Sequence, residues 1–325
     1  MAPCSRLRPS TRSEPAHHGR RSTLAITVST PDLPELDLHA VESAVAEAIR
    51  RRTTEGLRVL GHGEISLVLA WPSTQPVMAV KRVPPFRTPG AAQQYTTVCE
   101  QFFDLLRGAE VAVWPTTLHT HERSDGRAVV YHRQPIADAT LLGTNVLRAT
   151  APIDDHPLLI AIADAAAAVC SPTVGFDCQA ANWLWDGTTA TQLDFTSPFT
   201  LLPSRKELTY DPRAFLQEYP VVVRPYLKRE FTSLIHRYTT AEGALADMVA
   251  NLFKEGLEPW VDPAIGTINR RLGVNLKRST AQRMFDEDRR LMPLVLKLKK
   301  THRWWLTRTG RRYEQLLPMA TTYGR

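Results

Sequence analysis

The sequence predicts an α+β fold with two lobes, a small β-rich lobe followed by a larger helical lobe. The chain has 325 residues, which is more than one hydrophobic core usually supports and therefore favours two lobes. Short strand-like segments, separated by turns that contain Gly or Pro, cluster between residues 57 and 134. Apolar residues at helical spacing dominate the chain after residue 157.

The first half of the chain is predicted to begin with a helix and to continue with strands. Apolar residues from Leu38 to Ile49 recur at helical spacing, which predicts a helix over residues 36–51. Three strands, a second helix and a hairpin around the Asp125-Gly126 turn follow. In chain order, these elements are expected at residues 57–61, 65–71, 77–83, 91–106, 113–121 and 128–134.

The second half is predicted to be mostly helical. A strongly apolar helix is expected at residues 157–170, and a short hairpin pairs residues 183–185 with residues 192–195. Pro293 is expected to kink or break the last helix, because proline lacks the N–H that the helix needs. The helices after the hairpin are expected at residues 212–218, 227–238, 241–255 and 280–300.

Composition is that of a globular protein with a basic N-terminal tail. Hydrophobic residues make up 43% and charged residues 22% of the chain, which argues against disorder throughout. We expect a disordered tail at residues 1–30, an N-terminal lobe with a leading helix at residues 31–135 and a helical lobe at residues 136–325. No uncharged apolar stretch of about 18 residues occurs, so no membrane-spanning helix is expected. The cysteines lack CxxC spacing, which argues against zinc or disulfides and predicts a cytoplasmic protein.

The net charge of +7 is concentrated at the two ends of the chain. Residues 1–23 carry +4 and residues 270–325 carry +11, which leaves −8 for residues 24–269. Basic ends of this kind bind nucleic acid, anionic lipid or a phosphorylated ligand, or they are simply solvated surface. Trp304 and Trp305 lie among the C-terminal basic residues. Such a mixture occurs in nucleic-acid or membrane-surface patches, and also in helix ends whose Trp residues pack on the protein.

Two features of the β-rich part are typical of phosphate binding. Gly61 and Gly63 lie in a turn between two predicted strands, where glycine lets backbone N–H groups approach phosphate oxygens; an ordinary hairpin turn is the alternative. Lys81 lies among the apolar residues of the third strand. In a cleft, Lys81 would need a nucleotide phosphate or Glu100 of the following helix as its partner. Otherwise it is an edge lysine whose ammonium group reaches water.

Asp177, Asn182 and Asp194 form the sharpest pattern in the sequence. Asp177 and Asn182 are five residues apart after an apolar helix, and Asp194 ends the hairpin that Asn182 begins. Amide and carboxylate oxygens at one end of a hairpin suit Mg²⁺, with phosphate oxygens completing the coordination shell. Asp177 is then free to orient a hydroxyl group or to accept its proton. Structural alternatives are a helix cap, a turn residue and a surface ion pair.

The order of these parts resembles the protein-kinase-like superfamily, and in particular its small-molecule and atypical kinases. The resemblance covers residues 57–199 and rests on the glycine turn, the strand lysine, Asp177-x-x-x-x-Asn182 and Asp194-Phe195. It implies a bilobal kinase-like fold that uses ATP and Mg²⁺. The resemblance also implies that Gly61 and Gly63 cover the phosphates of ATP, and that Lys81 contacts these phosphates and pairs with Glu100. Residues 131–135, with Tyr131 and Gln134, would hold adenine. Asp177 would be catalytic, and Asn182 and Asp194 would hold the metal.

The chain departs from the superfamily pattern at three positions. Gly175 stands where the pattern has His, Gln179 where it has Lys, and Thr196 where it has Gly. From the resemblance we expect an ATP- and Mg²⁺-dependent phosphotransferase that acts on a small-molecule hydroxyl or amine. The departures leave open a pseudokinase that binds nucleotide and serves as a scaffold. The basic C-terminal region leaves open a third class, a protein associated with nucleic acid.

Overall fold

The computed structural model describes residues 32–62, 66–203 and 207–315. The fold is α+β, with a small lobe built on a β-sheet and a larger helical lobe, and the predicted fold class is therefore confirmed. The basic tail predicted at residues 1–30 lies outside the described residues.

The small lobe is built on a five-stranded antiparallel sheet. The strands of this half of the chain are β1 (Arg58–His62), β2 (Leu67–Trp71), β3 (Met78–Arg82), β4 (Ala112–Val113), β5 (Thr117–Glu122) and β6 (Ala128–Gln134). All of them except β4 form the sheet, in the order β1-β2-β3-β6-β5. Strands β3 and β6 are therefore interior strands, whose backbone groups bond to a neighbour on each side.

Helix α1 (Leu38–Arg51) covers one face of the sheet, as its apolar stripe predicts. The helix begins after Asp37, whose carboxylate accepts a hydrogen bond of 2.9 Å from the backbone N–H of Ala40. Its residue Val41 packs in one buried cluster with Met78, Val80 and Tyr131 of the sheet. This face of β3 and β6 is consequently filled by α1.

Helix α2 (Pro89–Gly108) packs against the opposite face. Thr88 caps its first turn through a hydrogen bond from the backbone N–H of Ala91, and Pro89 occupies the first helical position, where its missing N–H costs nothing. Tyr95 and other buried residues of α2 share a core with Ala128 and Val130 of β6. Because side chains alternate along a strand, α1 and α2 contact different residues of the same strands.

The large lobe contains seven helices and four short strands among the described residues. Its hairpin is β8–β9, and β9 ends before residue 193, so the strand predicted at residues 192–195 is wrong in its position and Asp194 follows the strand. Strands β4, β9 and β8 form one small sheet, and β7 pairs with β10. The elements are α3 (Gly143–Ala149), α4 (Pro157–Val169), β7 (Val174–Gly175), β8 (Trp183–Trp185), β9 (Ala190–Gln192), β10 (Phe199–Thr200), α5 (Arg213–Leu216), α6 (Arg224–Tyr238), α7 (Ala241–Lys254), α8 (Val261–Leu272) and α9 (Arg278–Arg308).

One continuous hydrophobic core joins the two lobes. Buried residues of α2, such as Phe103, belong to the same cluster as Ile162 of α4 and Leu245 of α7. The ring of Phe103 meets that of Phe195, next to Asp194, edge to face at 4.9 Å between centroids. Helix α2 is therefore part of both lobes, and it fixes the sheet relative to the chain around Asp194.

Helix α9 is continuous through Pro293, so of the kink or break predicted there, the break does not occur. The proline removes the hydrogen bond to the carbonyl of Arg289, four residues earlier. Pro293 and Arg289 are both exposed, so water can hydrogen-bond to that carbonyl. The helix can therefore continue, at a cost in stability that its contacts with α7 and α8 offset.

The chain after α9 returns to the sheet lobe through a buried cluster of charges. Glu314 is 6% exposed and lies 2.9 Å from Arg123, 2.9 Å from Arg127 and 3.3 Å from Arg82. Glu42 of α1 binds Arg82 from the other side at 2.8 Å. We call Glu42, Arg82, Arg123, Arg127 and Glu314 the arginine–glutamate cluster. It ties the segment that follows α9 to the sheet and to α1.

Removing one carboxylate from this cluster should destabilise the whole chain. In Glu314→Gln, four arginines (Arg82, Arg123, Arg127 and Arg312) lose a buried counter-charge, so we expect the free energy of unfolding to fall by about 3 kcal/mol. Urea denaturation followed by circular dichroism measures this change. The matched control is Glu110→Gln at an exposed position, which should change stability by less than about 0.5 kcal/mol. Equal stability of the Glu314→Gln variant and the wild type would show that the cluster contributes nothing.

Candidate active site

Lys81 and Asp194 meet where the sheet lobe faces the β8–β9 hairpin. The Nζ atom of Lys81 lies 2.6 Å from Oδ2 of Asp194. The Lys81 side chain is 10% exposed, whereas that of Asp194 is 34% exposed. The pair is therefore buried on the lysine side and open to solvent on the carboxylate side.

The alternation of β3 explains why Lys81 points to this side of the sheet. Met78 and Val80 face α1, as described above, so Lys81 faces the other way. Its cross-strand neighbour on β6 is His132, which is 1% exposed. Burial, and then the charge of Lys81, lower the pKa of His132 to about 3. His132 is consequently neutral at physiological pH. The charged partner of Lys81 is the carboxylate of Asp194.

Asp194 is held as an anion. Burial raises its pKa, but the ammonium group of Lys81 and two hydrogen bonds from Thr196 outweigh burial and lower the pKa to about 2. The Thr196 bonds come from the backbone N–H at 2.9 Å and from the hydroxyl at 2.7 Å, and both end on Oδ1. The two carboxylate oxygens of Asp194 thus have different partners: Oδ1 is bound by Thr196 of the same loop, and Oδ2 is bound by Lys81 of the sheet.

The chain from Leu193 to Thr196, the 193–196 segment, is fixed by three residues of the sheet lobe. Gln134 donates a hydrogen bond to the carbonyl of Leu193 at 2.9 Å, and Lys81 binds Asp194. Tyr95 of α2 donates its hydroxyl proton to the carbonyl of Thr196 at 2.9 Å. Because that proton is used there, the same hydroxyl accepts from Nε2–H of His132 at 2.9 Å.

Asp177 lies in the loop between β7 and β8. Its carboxylate accepts a hydrogen bond from the backbone N–H of Gln179 and interacts with the side chain of Asn182. Burial, and then the charges of Asp247 and Asp194, raise the pKa of Asp177 to about 7, while these two hydrogen-bonding groups act in the opposite direction. A carboxyl group with a pKa near the working pH suits acceptance and release of a proton.

Asn182 interacts with Asp177 and bonds to Leu193, the residue before Asp194. It ends a 3₁₀ turn, Ala180–Asn182, immediately before β8, and its backbone carbonyl accepts a hydrogen bond of 2.8 Å from the N–H of Leu193. Its side chain interacts with Asp177. The side chain of Gln192 donates to the carbonyls of both Asp177 and Asp194. Gln192 therefore links the loop that carries Asp177 directly to the end of the β8–β9 hairpin.

The donor set around Asn182 and Asp194 fits a magnesium ion. It combines an amide oxygen with a carboxylate that is ionised at neutral pH, and Mg²⁺ prefers such oxygen ligands together with water and phosphate. Among the residues that the structure describes, no group of three His, Cys, Asp or Glu side chains could hold a metal ion by itself. A metal at this position would therefore complete its coordination shell with oxygens of water and of a bound phosphate.

Two predicted site residues lie elsewhere. Glu100 is exposed on α2, and among the described residues no ion pair joins it to Lys81, so the predicted Lys81–Glu100 pair is not formed in this structure. Tyr131 does not face the cleft, because the alternation of β6 turns it toward α1, where its hydroxyl bonds to Glu42. Its backbone pairs with β3 and β5 on either side, which leaves it no free group for adenine.

The other predicted nucleotide contacts are placed at the edge of the site or lie outside the described residues. Gln134 ends β6 and bonds to Thr116 and to the 193–196 segment, so it braces the site where the chain leaves the sheet. Gly61 lies in β1 beside a register shift, and a Cβ atom there would meet no other atom within 4 Å. Packing therefore does not require glycine at this position. Gly63 lies outside the described residues.

Asp247 of α7 is a residue of the site that the sequence did not reveal. Its carboxylate accepts hydrogen bonds from Tyr238 at 2.8 Å, Asn251 at 3.0 Å and Gln179 at 3.3 Å. Asp247 lies in an ordinary helical sequence, without a motif. Gln179, where the superfamily pattern has Lys, indicated that a hydrogen-bonding partner for its amide lies nearby. The sequence could not show that this partner is Asp247.

The basic C-terminal end of α9 exposes its aromatic residues. Trp304 is 62% and Trp305 45% exposed, and the guanidinium groups of Arg308 and Arg311 lie over their rings. Binding of nucleic acid by this end stays a prediction. Within the described part of the chain, no helix is both long and apolar enough to cross a membrane.

Comparison with known proteins gives a family but no function. No curated protein sequence matches the chain. Among solved structures, WaaP in complex with acyl carrier protein matches at 12% sequence identity and a TM-score of 0.32, over 78% of this chain and 92% of that chain. A TM-score this low supports no inference about activity. Residues 40–303, which include Lys81, Asp177, Asn182 and Asp194, match a family of unknown function, DUF6206. The chain therefore belongs to the DUF6206 family.

Proposed function

We propose that the protein is an ATP- and Mg²⁺-dependent phosphotransferase that acts on a hydroxyl or amine of a small molecule. The contact of 2.6 Å between Lys81 and Asp194, with Asp177 and Asn182 beside it, is the observation that carries the proposal. A cation, an ionised carboxylate, an amide and a carboxyl group of raised pKa are the groups that phosphoryl transfer requires in one place.

Each side chain has a distinct part in this reaction. Lys81 would bind the phosphates of ATP, while Asn182 and Asp194 would hold Mg²⁺, which neutralises charge on the phosphate oxygens. Asp177 would orient the acceptor and take its proton. The acceptor oxygen forms a bond to the γ-phosphorus, the bond from phosphorus to the β-phosphate oxygen breaks, and ADP leaves with the electron pair. The protein contributes mainly position and charge.

Contacts around the loop replace the side chains that the superfamily pattern would supply. At Gly175, a Cβ atom would lie 3.0 Å from Phe199 and 3.1 Å from Tyr238, so a histidine does not fit without a shift of these neighbours. The loop is instead anchored by the hydrogen bond of 3.0 Å from Phe176 N–H to the carbonyl of Tyr238. Gln179, in place of Lys, bonds to Asp247. A braced loop supports an active enzyme.

One observation favours the alternative of a nucleotide-binding scaffold. In protein kinases the strand lysine must pair with a glutamate of the following helix, and here Glu100 is exposed. A scaffold would bind ATP without turning it over. Release of ADP measured in a coupled assay, together with calorimetric titration of ATP, separates the two functions. Binding with no release under any acceptor would favour the scaffold.

Asp194→Asn should remove the metal dependence of nucleotide binding. The amide keeps the size of the carboxylate but lacks its charge, so we expect affinity for Mg²⁺-ATP to fall at least about tenfold, or about 1.4 kcal/mol. Affinity for ATP measured in EDTA should stay unchanged or rise, because a negative charge beside the phosphates is lost. Isothermal titration calorimetry measures both affinities.

The matched control for this experiment is Asp104→Asn, at a side chain that is 79% exposed on α2. It should bind nucleotide as the wild type does. Thermal unfolding of all three proteins checks that the fold is intact. Wild-type affinity of Asp194→Asn for Mg²⁺-ATP would contradict the assignment of Asp194 to the metal.

Asp177→Asn should separate nucleotide binding from phosphoryl transfer. The amide oxygen can still accept the Gln179 hydrogen bond, but it cannot take a proton. We expect Mg²⁺-ATP affinity near that of the wild type and a rate of ADP release lower by roughly 100-fold to 10,000-fold. Single-turnover kinetics with radiolabelled ATP measures the rate. Equal rates in the two proteins would show that Asp177 has only a structural part.

A further inference from the structure

A cavity of about 470 Å³ opens in the helical lobe beside the candidate active site. Helices α6, α7 and α9 form most of its wall. Gln179 and Asp247 also line it, and Gln179 is two residues from Asp177. A volume of this order accommodates a small organic molecule. The cavity therefore extends from the proposed catalytic loop to the surface of the helical lobe.

Most of the wall is apolar and incompletely covered. Leu227, Phe231, Met284 and Val295 are partly exposed and line the cavity. Leu291, at its outer part, is 57% exposed. Apolar side chains that stay accessible in a concave site gain free energy when an apolar ligand removes them from water. The wall thus favours an occupant with an apolar body.

The charged groups of the cavity leave a surplus of negative charge. Each of its three cations has an acidic partner in the same wall: Lys299 lies 2.7 Å from Glu218, Lys254 3.7 Å from Asp288 and Arg237 4.0 Å from Asp247.

Glu230 and Glu287 also line the cavity and are exposed, and no ion pair joins either of them to a described residue. Two carboxylates therefore remain at the surface end of the cavity. They would attract a cationic group and repel an anionic one.

Resting on the proposed function, we infer that this cavity binds the phosphoryl acceptor and that the acceptor is an amphiphilic amino alcohol. Its hydroxyl would lie at the Gln179 end, within reach of the catalytic loop. Its apolar body would contact the side chains of α6 and α9. Its protonated amine would lie near Glu230 and Glu287. Carboxylated or phosphorylated acceptors would be disfavoured, because the pocket offers no cation without an acidic partner among the described residues.

Calorimetric titration of the full chain, without nucleotide, tests this inference with three probes. The first is 8-amino-1-octanol, which carries the hydroxyl, the apolar body and the amine. The second, 8-hydroxyoctanoate, has similar length and the opposite charge. The third, 4-amino-1-butanol, lacks four methylenes. We expect the first probe to bind at least about tenfold more tightly than either of the others, since each buried methylene contributes substantially to affinity.

Variants of the cavity test whether 8-amino-1-octanol binds there. In the double variant Glu230→Gln, Glu287→Gln, affinity for 8-amino-1-octanol should fall roughly threefold to tenfold at low salt, as expected for exposed charges, while affinity for 8-hydroxyoctanoate should not fall. Val295→Trp should reduce binding of 8-amino-1-octanol by filling the cavity. Glu242→Gln, an exposed glutamate of α7 outside the cavity, is the matched control and should bind as the wild type does. Circular dichroism confirms folding of each variant.

Failure of the acceptor inference and failure of the proposed phosphotransferase function give different results in these titrations. Equal binding of the three probes, no binding of 8-amino-1-octanol, or binding unchanged in both cavity variants would overturn the inference. Mg²⁺-ATP is titrated into the same preparation. Nucleotide binding without probe binding would contradict the acceptor class but leave the phosphotransferase proposal intact. Probe binding without nucleotide binding would contradict the phosphotransferase and with it the acceptor role of the cavity.

Discussion

The contact between Lys81 and Asp194 is the interaction on which the arrangement of the site depends. It joins the interior strand β3 to the end of the β8–β9 hairpin, two parts of the chain separated by more than a hundred residues. Gln134 and Tyr95 bind the carbonyls of Leu193 and Thr196, on either side of Asp194. Three elements of the sheet lobe thus hold one segment of four residues, and this segment also bonds to Asn182.

Because the Lys81–Asp194 pair is partly exposed, bound ligands can replace the contact between its two side chains. A fully buried ion pair is costly to separate, because each charge would lose its partner without gaining water. Asp194 is one-third exposed, so a phosphate and a cation can replace the direct contact by binding to Lys81 and Asp194 respectively. In the arginine–glutamate cluster on the other face of the sheet, every side chain except Arg127 is at most 13% exposed, and the contribution of the cluster is to stability. Lys81 and Arg82, adjacent in β3, therefore serve different purposes because they point to opposite faces.

Local sequence patterns were sufficient for the sheet lobe and for the central residues of the site, but they did not predict α3 or α8. The strand-like segments between turns that contain Gly or Pro, the apolar stripe of α1 and the Asp125-Gly126 turn predicted the sheet lobe. The spacing of Asp177, Asn182 and Asp194 predicted residues that the fold brings together. Glu100 was misplaced because order along the chain does not fix rotation about a helix axis. Buried Tyr95 and Cys99 mark the packed side of α2, and Glu100 points away from it. Asp247 was beyond prediction, because its role arises only from the packing of α7 against the loop.

The most direct measurement is a crystal structure with Mg²⁺ and a non-hydrolysable ATP analogue. The account predicts a metal ion about 2.1 Å from oxygens of both Asn182 and Asp194, with Nζ of Lys81 within hydrogen-bonding distance of a phosphate oxygen. Nucleotide bound elsewhere, or a phosphate site in which Lys81 and Asp194 keep their direct contact and neither touches metal or phosphate, would contradict it.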